Sequence, residues 1–207
     1  MIKKTIAMTV AATVAITGWL TLGTAMAATL QVQVSDNAGK PLADAIVFLE
    51  SPAARAASKP LPKVDVAQVA KQFDPQVSVV PVGTAVHFPN RDTVRHHVYS
   101  FSPVKTFELK LYAGTEANPV VFDRSGIAVL GCNIHDNMAA WVVVVETPYY
   151  ARGNATGKVT LANVPAGNYH LRVWHTSLPP GAAALDQPLV VGPADASVSV
   201  RLAGAAP

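Results

Sequence analysis

Between Gln76 and Thr147 the chain divides into seven short runs rich in β-branched and aromatic residues, separated at about ten-residue intervals by turn-forming residues. They read QVSVVPVG, AVHFPN, HVYSFS, TFELKLY, PVVFD, GIAVLGCN and AAWVVVVET. Apolar and polar residues alternate through most of them, which is the period that buries one face of a strand. Short strands at this spacing pack as a sandwich or barrel. Sixteen prolines in the chain argue against long helices. Val142–Val145 is apolar on both faces and predicts a central strand. Only Val66–Phe73 has a helical spacing, enough for one or two turns. The expected class is all-β.

The two ends of the chain have a different character. Thr29–Asp36 alternates, NAGKPL makes a turn, and ADAIVFLE follows, so a hairpin is expected. Ser51–Asp65 is rich in Pro, Ala and Ser and reads as a linker or surface loop. Far downstream, Thr156–His175 has the form G-x-V-x-L-x-x-V-P-x-G-x-Y-x-L-x-V, with Tyr169, Leu171 and Val173 on one face, and QPLVV and ASVSVRL complete the set.

The amino terminus bears on where the protein works. Lys3 and Lys4 precede an apolar run to about Leu22, and Ala25-Met26-Ala27 supplies the small-x-small pattern of a cleavage site. This predicts a secretory signal, residues 1–27, cleaved after Ala27, with the mature protein in the periplasm. An uncleaved anchor is the competing reading, but the run barely reaches the roughly 20 residues needed to span a bilayer. No later segment is apolar enough to cross, so no membrane span is expected after cleavage. Removing 27 of the 207 residues leaves 180, enough for one large or two small domains. Lys3 and Lys4 leave with the signal, so 14 basic residues face 13 acidic ones. A net charge near +1 offers no basic stripe for a phosphate backbone, so nucleic acid is not an expected partner.

Cleavage also removes Met1, Met8 and Met26, leaving Met138 and Cys132 as the sulfur-bearing residues of the mature chain. They lie six apart, in GCNIHDNM, with His135 between them. A lone cysteine in an oxidising compartment forms no internal disulfide, so it is buried, paired with another chain, or metal-bound. Thiolate, imidazole and thioether together point to copper, which accepts soft sulfur and nitrogen ligands. Zinc has little use for a thioether. A second histidine is then required, and His96 and His97 stand at the start of the HVYSFS strand. Adjacent strand residues point to opposite faces, so only one of the two can face the metal.

Two resemblances follow. Gly39, Pro41, Leu42, Ala45 and Val47 near the start and the P-x-G-x-Y strand near the end resemble the carboxypeptidase-regulatory or transthyretin-like β-sandwich. This implies one small Ig-like sandwich split between residues 28–50 and 157–202, with 51–65 as linker and a second domain, 66–150, inserted. A single irregular sandwich or two modules in series remain alternatives. The second domain resembles the cupredoxins, the plastocyanin and amicyanin family, from Val82 to Glu146. Asn90 precedes His96 by six positions, and Cys132-x2-His135-x2-Met138 is a short amicyanin-type loop. FPNRD, HHVYSF, GCNIHD and VVVVETPY resemble in particular the periplasmic methylamine-utilisation-type proteins. The resemblance implies a Greek-key sandwich holding one type 1 copper on His96, Cys132, His135 and Met138. It departs from the family at Arg95, at His97, where an Asn that braces the cysteine loop is usual, and at Ile134.

No acid–base pair, nucleophile triad or phosphate loop is evident, so no enzymatic activity is expected. The resemblance implies one-electron transfer between redox protein partners, with His135 as the electron port and Ile134, Met138, Ala139 and Ala140 as an apolar patch around it. A copper carrier without redox turnover and a metal-free binding module are the alternatives. His87 is expected as a strand residue, Asp136 and Asn137 as loop-shaping, Trp141 as core, and His170, Arg172 and Trp174 as a solvated or interdomain face.

Overall fold

The computed structural model describes residues 27–115 and 118–205. Apart from Ala27, the expected signal region lies outside the described residues. In chain order the strands are β1 (Ala27–Ser35), β2 (Ile46–Glu50), β3 (Val64–Asp65), β4 (Ala67–Val69), β5 (Gln72–Asp74), β6 (Val77–Pro81), β7 (Thr84–His87), β8 (His96–Ser102) and β9 (Lys105–Tyr112). They continue as β10 (Val120–Phe122), β11 (Gly126–Gly131), β12 (Ala139–Val145), β13 (Tyr150–Arg152), β14 (Lys158–Pro165), β15 (Gly167–Trp174), β16 (Leu185–Val191) and β17 (Ala196–Arg201). One short helix, α1 (Pro52–Ala57), stands between β2 and β3. The all-β expectation holds.

Four sheets carry the architecture. The orders are β14-β1-β17, β13-β2-β15-β16, β6-β12-β11-β8-β9 and β10-β7-β3, and β4 and β5 form a separate hairpin. Period-two alternation explains how they stack. On β2, Val47 and Leu49 enter one apolar cluster with Leu30 and Val32 of β1 and Leu171 of β15. Their neighbours Ile46 and Phe48 point the other way, into a cluster with Val77, Val143, Val145 and Trp174. On β12 the same switch occurs, for Ala140, Val142 and Val144 face a third cluster with Phe88, Phe122, Leu130 and Cys132. Strands β2 and β12 are therefore apolar on both faces. Val142–Val145 has no polar face because β12 lies between β6 and β11 and between two cores. Trp141 and Trp174 meet across the middle seam with ring centroids 6.2 Å apart.

The expected hairpin of the first two strands does not form, because β1 pairs with β14 and β17 while β2 pairs with β13 and β15 in another sheet. Local chemistry accounts for the other departures from expectation. The Ser51–Asp65 stretch contains α1, capped where the Ser51 hydroxyl accepts the Ala54 N–H at 3.0 Å, with Pro in the first turn. Its last two residues, β3, pair with β7. Val66–Phe73 forms a tight hairpin of β4 and β5, not helical turns. Ala70 and Lys71 both adopt positive φ, 51° and 60°, as a two-residue hairpin turn demands. The helical spacing of Val66, Val69 and Phe73 was too short to outweigh that turn. Among the described residues no helix is long and apolar enough to cross a membrane.

Candidate metal centre

Antiparallel pairing brings the site together. Gly131, the last residue of β11, stands opposite Tyr99 on β8. The start of β8, at His96, and the residue following β11, Cys132, therefore lie at the same end of the five-stranded sheet. The chain then loops from Cys132 to Met138 before entering β12. A turn closed by the Met138 N–H donating to the His135 carbonyl, at 3.0 Å, folds that loop back.

The donor atoms of His96, Cys132 and His135 lie within 4.8 Å of one another. Cys132 Sγ is 3.9 Å from His96 Nδ1, and the two imidazole rings have centroids 5.1 Å apart. His96 is fully buried and Cys132 is 4% exposed, while His135 is half-buried. Met138, 2% exposed, belongs to the same apolar cluster as Cys132. His135 Nδ1 is buried with no hydrogen-bond partner among the described residues. A polar atom buried without a partner costs free energy. A bound cation would remove that cost. Two imidazoles, one thiol and a thioether nearby are the donor set that copper accepts, so the residues present fit it.

The segment ahead of His96 is braced by side chains. The Asn90 amide donates to the carbonyls of Val94, 2.8 Å, and Tyr112, 2.9 Å, and its Oδ1 accepts the Asp92 N–H at 2.9 Å. Asp92 Oδ2 lies 2.7 Å from His96 Nε2. Partial desolvation pushes the Asp92 carboxyl up. The Lys71 N–H, His96 and the Ala70 N–H together outweigh it and hold the group below the usual carboxylate range. Behind this loop, the buried Gln68 amide donates to the Phe88 carbonyl at 3.1 Å.

His96 and not His97 joins the cluster. His97 Nε2 lies 3.0 Å from Glu108 Oε1, and its ring meets the Tyr99 ring edge-on at 6.0 Å. His87 is half-buried on β7, outside the cluster. His170 contacts Asp186 at 2.8 Å, and His175 contacts the Ser177 hydroxyl at 2.7 Å. Asp136 and Asn137 are exposed in the turn between His135 and Met138. The expected apolar patch needs correction. Met138 and Ala140 are buried in the core, because the turn after His135 directs them inward, whereas Ile134 is 47% exposed. Val94, 38% exposed, and Val69, 36% exposed, lie on segments that Asn90 and Asp92 tie to His96. Asp92 was not singled out from the sequence. Its only signal there is a carboxylate four positions before a candidate ligand.

No protein-family model matches the sequence, and neither does any curated protein. Solved structures resemble parts of it. A copper-containing nitrite reductase from Thermus scotoductus SA-01 is 29% identical over 42% of this chain, with a TM-score of 0.38. This chain spans only 23% of that reductase's length. A purple cupredoxin from Nitrosopumilus maritimus is 22% identical over 40% of this chain and 98% of its own, with a TM-score of 0.35. A reduced Cu(I) form of an amicyanin variant is 22% identical over 48% of this chain and 98% of its own, with a TM-score of 0.38.

Proposed function

We propose that this protein is an exported one-electron carrier, a type 1 copper protein whose single copper is held by His96, Cys132, His135 and Met138. One observation carries the reading: a buried thiol meets two imidazoles within 4.8 Å, and one of those imidazoles presents a buried nitrogen that nothing among the described residues satisfies. When bound, copper supplies a one-electron couple. Four protein ligands leave no place for a substrate, which favours electron transfer over catalysis and over loading and release as a carrier.

The chain's own residues do the rest. Burial of Cys132 and His96 excludes water, and the rigid strands β8, β11 and β12 hold the donors in place with little rearrangement. Half-buried His135 is the port through which electrons pass. Ile134, next to it in the chain, is exposed, as are Val94 and Val69 on the segments tied to His96 through Asp92, and Lys71, Arg91 and Arg95 are exposed on those same segments. Such a surface suits a redox partner with an acidic rim around an apolar centre. Residues 28–50 and 157–202 act as a supporting sandwich for the copper-holding part, 66–150, a division supported by their separate apolar clusters. The amino-terminal pattern directs the protein to the periplasm.

Optical and paramagnetic resonance spectra of the copper-loaded protein test this reading. Intense thiolate-to-copper absorption that disappears in Cys132→Ser is expected. A colourless wild-type protein after copper addition, or a Cys132→Ser variant that keeps the band, overturns it.

A further inference from the structure

His96 is held from behind by a carboxylate whose own position is fixed. The imidazole is completely buried, and Asp92, at 14% side-chain exposure, has Oδ2 2.7 Å from its Nε2. Asp92 Oδ1 accepts the Ala70 N–H at 2.7 Å and Oδ2 accepts the Lys71 N–H at 2.9 Å. These are the two positive-φ residues of the β4–β5 turn. The Asp92 N–H in turn donates to Asn90 Oδ1 at 2.9 Å. The carboxylate is thus clamped between a hairpin turn and the loop that leads into β8, with one oxygen aimed at the ring.

The chemistry of the pair determines which nitrogen is free. An ionised carboxylate only accepts hydrogen bonds, so the facing Nε2 must carry the proton. Nδ1, the nitrogen 3.9 Å from Cys132 Sγ, then keeps its lone pair and faces the cluster. A carboxylate behind a ligating imidazole also makes that imidazole a more basic ligand. A nearby negative charge favours a doubly charged ion over a singly charged one.

We propose that Asp92 is a positioning residue of the metal centre, which locks His96 as the Nε2–H tautomer and biases the site towards cupric over cuprous copper. This rests on the copper reading given above. The β4–β5 hairpin becomes part of the centre because its turn supplies the two backbone N–H groups that hold the carboxylate.

Two measurements test the inference. Nitrogen-15 NMR of the metal-free wild-type protein reads the His96 tautomer directly and needs no variant. A single Nε2–H form is expected, and an Nδ1–H form overturns the proposal. Chelator competition with cupric and with cuprous ions then compares wild type with Asp92→Asn, which keeps the shape and removes the charge. Cupric affinity is expected to fall about 10- to 100-fold, the usual cost of losing such a partner. Cuprous affinity should fall less, so the reduction potential rises. A merely structural role would lower thermal stability and leave the cupric-to-cuprous ratio unchanged, which overturns this inference alone. A wild-type protein that takes up no copper overturns the copper reading and this inference together.

Discussion

The ring of Tyr99 fills the space beside Gly131 that a side chain there would need. A Cβ on Gly131 would stand 2.6 Å from both Cζ and Oη of Tyr99, and the two residues are direct partners across β8 and β11. Phe101 packs on the same tyrosine with ring centroids 5.0 Å apart. Gly131 is the residue before Cys132, so crowding here displaces the candidate thiol. Gly131→Ala should cost about 1–3 kcal/mol, the usual range for overpacking. Urea denaturation measures it, and the Tyr99→Ala, Gly131→Ala double variant should recover most of the loss. Additive losses would show that the crowding is absent.

The histidine pair separates cleanly by substitution. His96→Ala removes a member of the buried cluster and should abolish the thiolate-to-copper band. His97→Ala removes only contacts to Glu108 and Tyr99 and should leave the band in place. Parallel spectra of the two copper-loaded variants decide the matter, and the opposite pattern would reassign the ligand.

The seam between the two middle sheets should dominate stability outside the site. Trp174 is 3% exposed and contacts Trp141 across it. Trp174→Ala should cost about 3–5 kcal/mol, as for other buried large-to-small changes, while the thiolate-to-copper band keeps its position. Chemical denaturation followed by far-ultraviolet dichroism measures the cost. A loss below about 1 kcal/mol would mean that the seam contributes little.

Surface charge should be visible in electron-transfer rates. With Lys71, Arg91 and Arg95 exposed on the segments that Asp92 ties to His96, oxidation of the reduced protein by anionic ferricyanide should slow as salt rises, and oxidation by a cationic cobalt complex should not. Arg95→Glu should weaken the salt dependence. Stopped-flow traces at several ionic strengths give the answer.

Alkaline pH should weaken the fold in a defined window. Burial pushes the Tyr150 hydroxyl above its usual 10.0. Burial, followed by the neighbouring Tyr149, does the same for Tyr169. The folded state therefore holds these protons more tightly than the unfolded chain. Their contribution is complete below about pH 10 and is lost as pH rises through the folded-state values. Urea midpoints should drop above pH 10, and the Tyr150→Phe, Tyr169→Phe double variant should flatten that drop.

The strand runs and the candidate site were legible for different reasons. Alternation in Thr29–Asp36 or Tyr169–Val173 reports a one-sided strand directly, since every second side chain enters the core. Cys132, His135 and Met138 were legible because they are close in sequence and chemically unusual together. The β4–β5 hairpin was not, because its positive-φ turn uses Ala70 and Lys71 where glycine or asparagine would announce it. Asp92 escaped notice because an aspartate in a polar loop has no distinguishing pattern until its partners are known. Met138 and Ala140 were misread as surface residues for a similar reason, because the turn that directs them inward depends on a backbone hydrogen bond.

By itself, the sequence determined an all-β chain of short strands and grouped one thiol, one imidazole and one thioether within seven residues. Tertiary structure alone decided that His96, thirty-six positions before Cys132, faces that group while His97 turns to Glu108. It also decided that Asp92 stands behind the buried imidazole and that two middle sheets share a seam. Local spacing fixes which residues can lie on one face of one strand. Which faces meet depends on pairing and burial across the whole chain, and only the folded molecule satisfies those together.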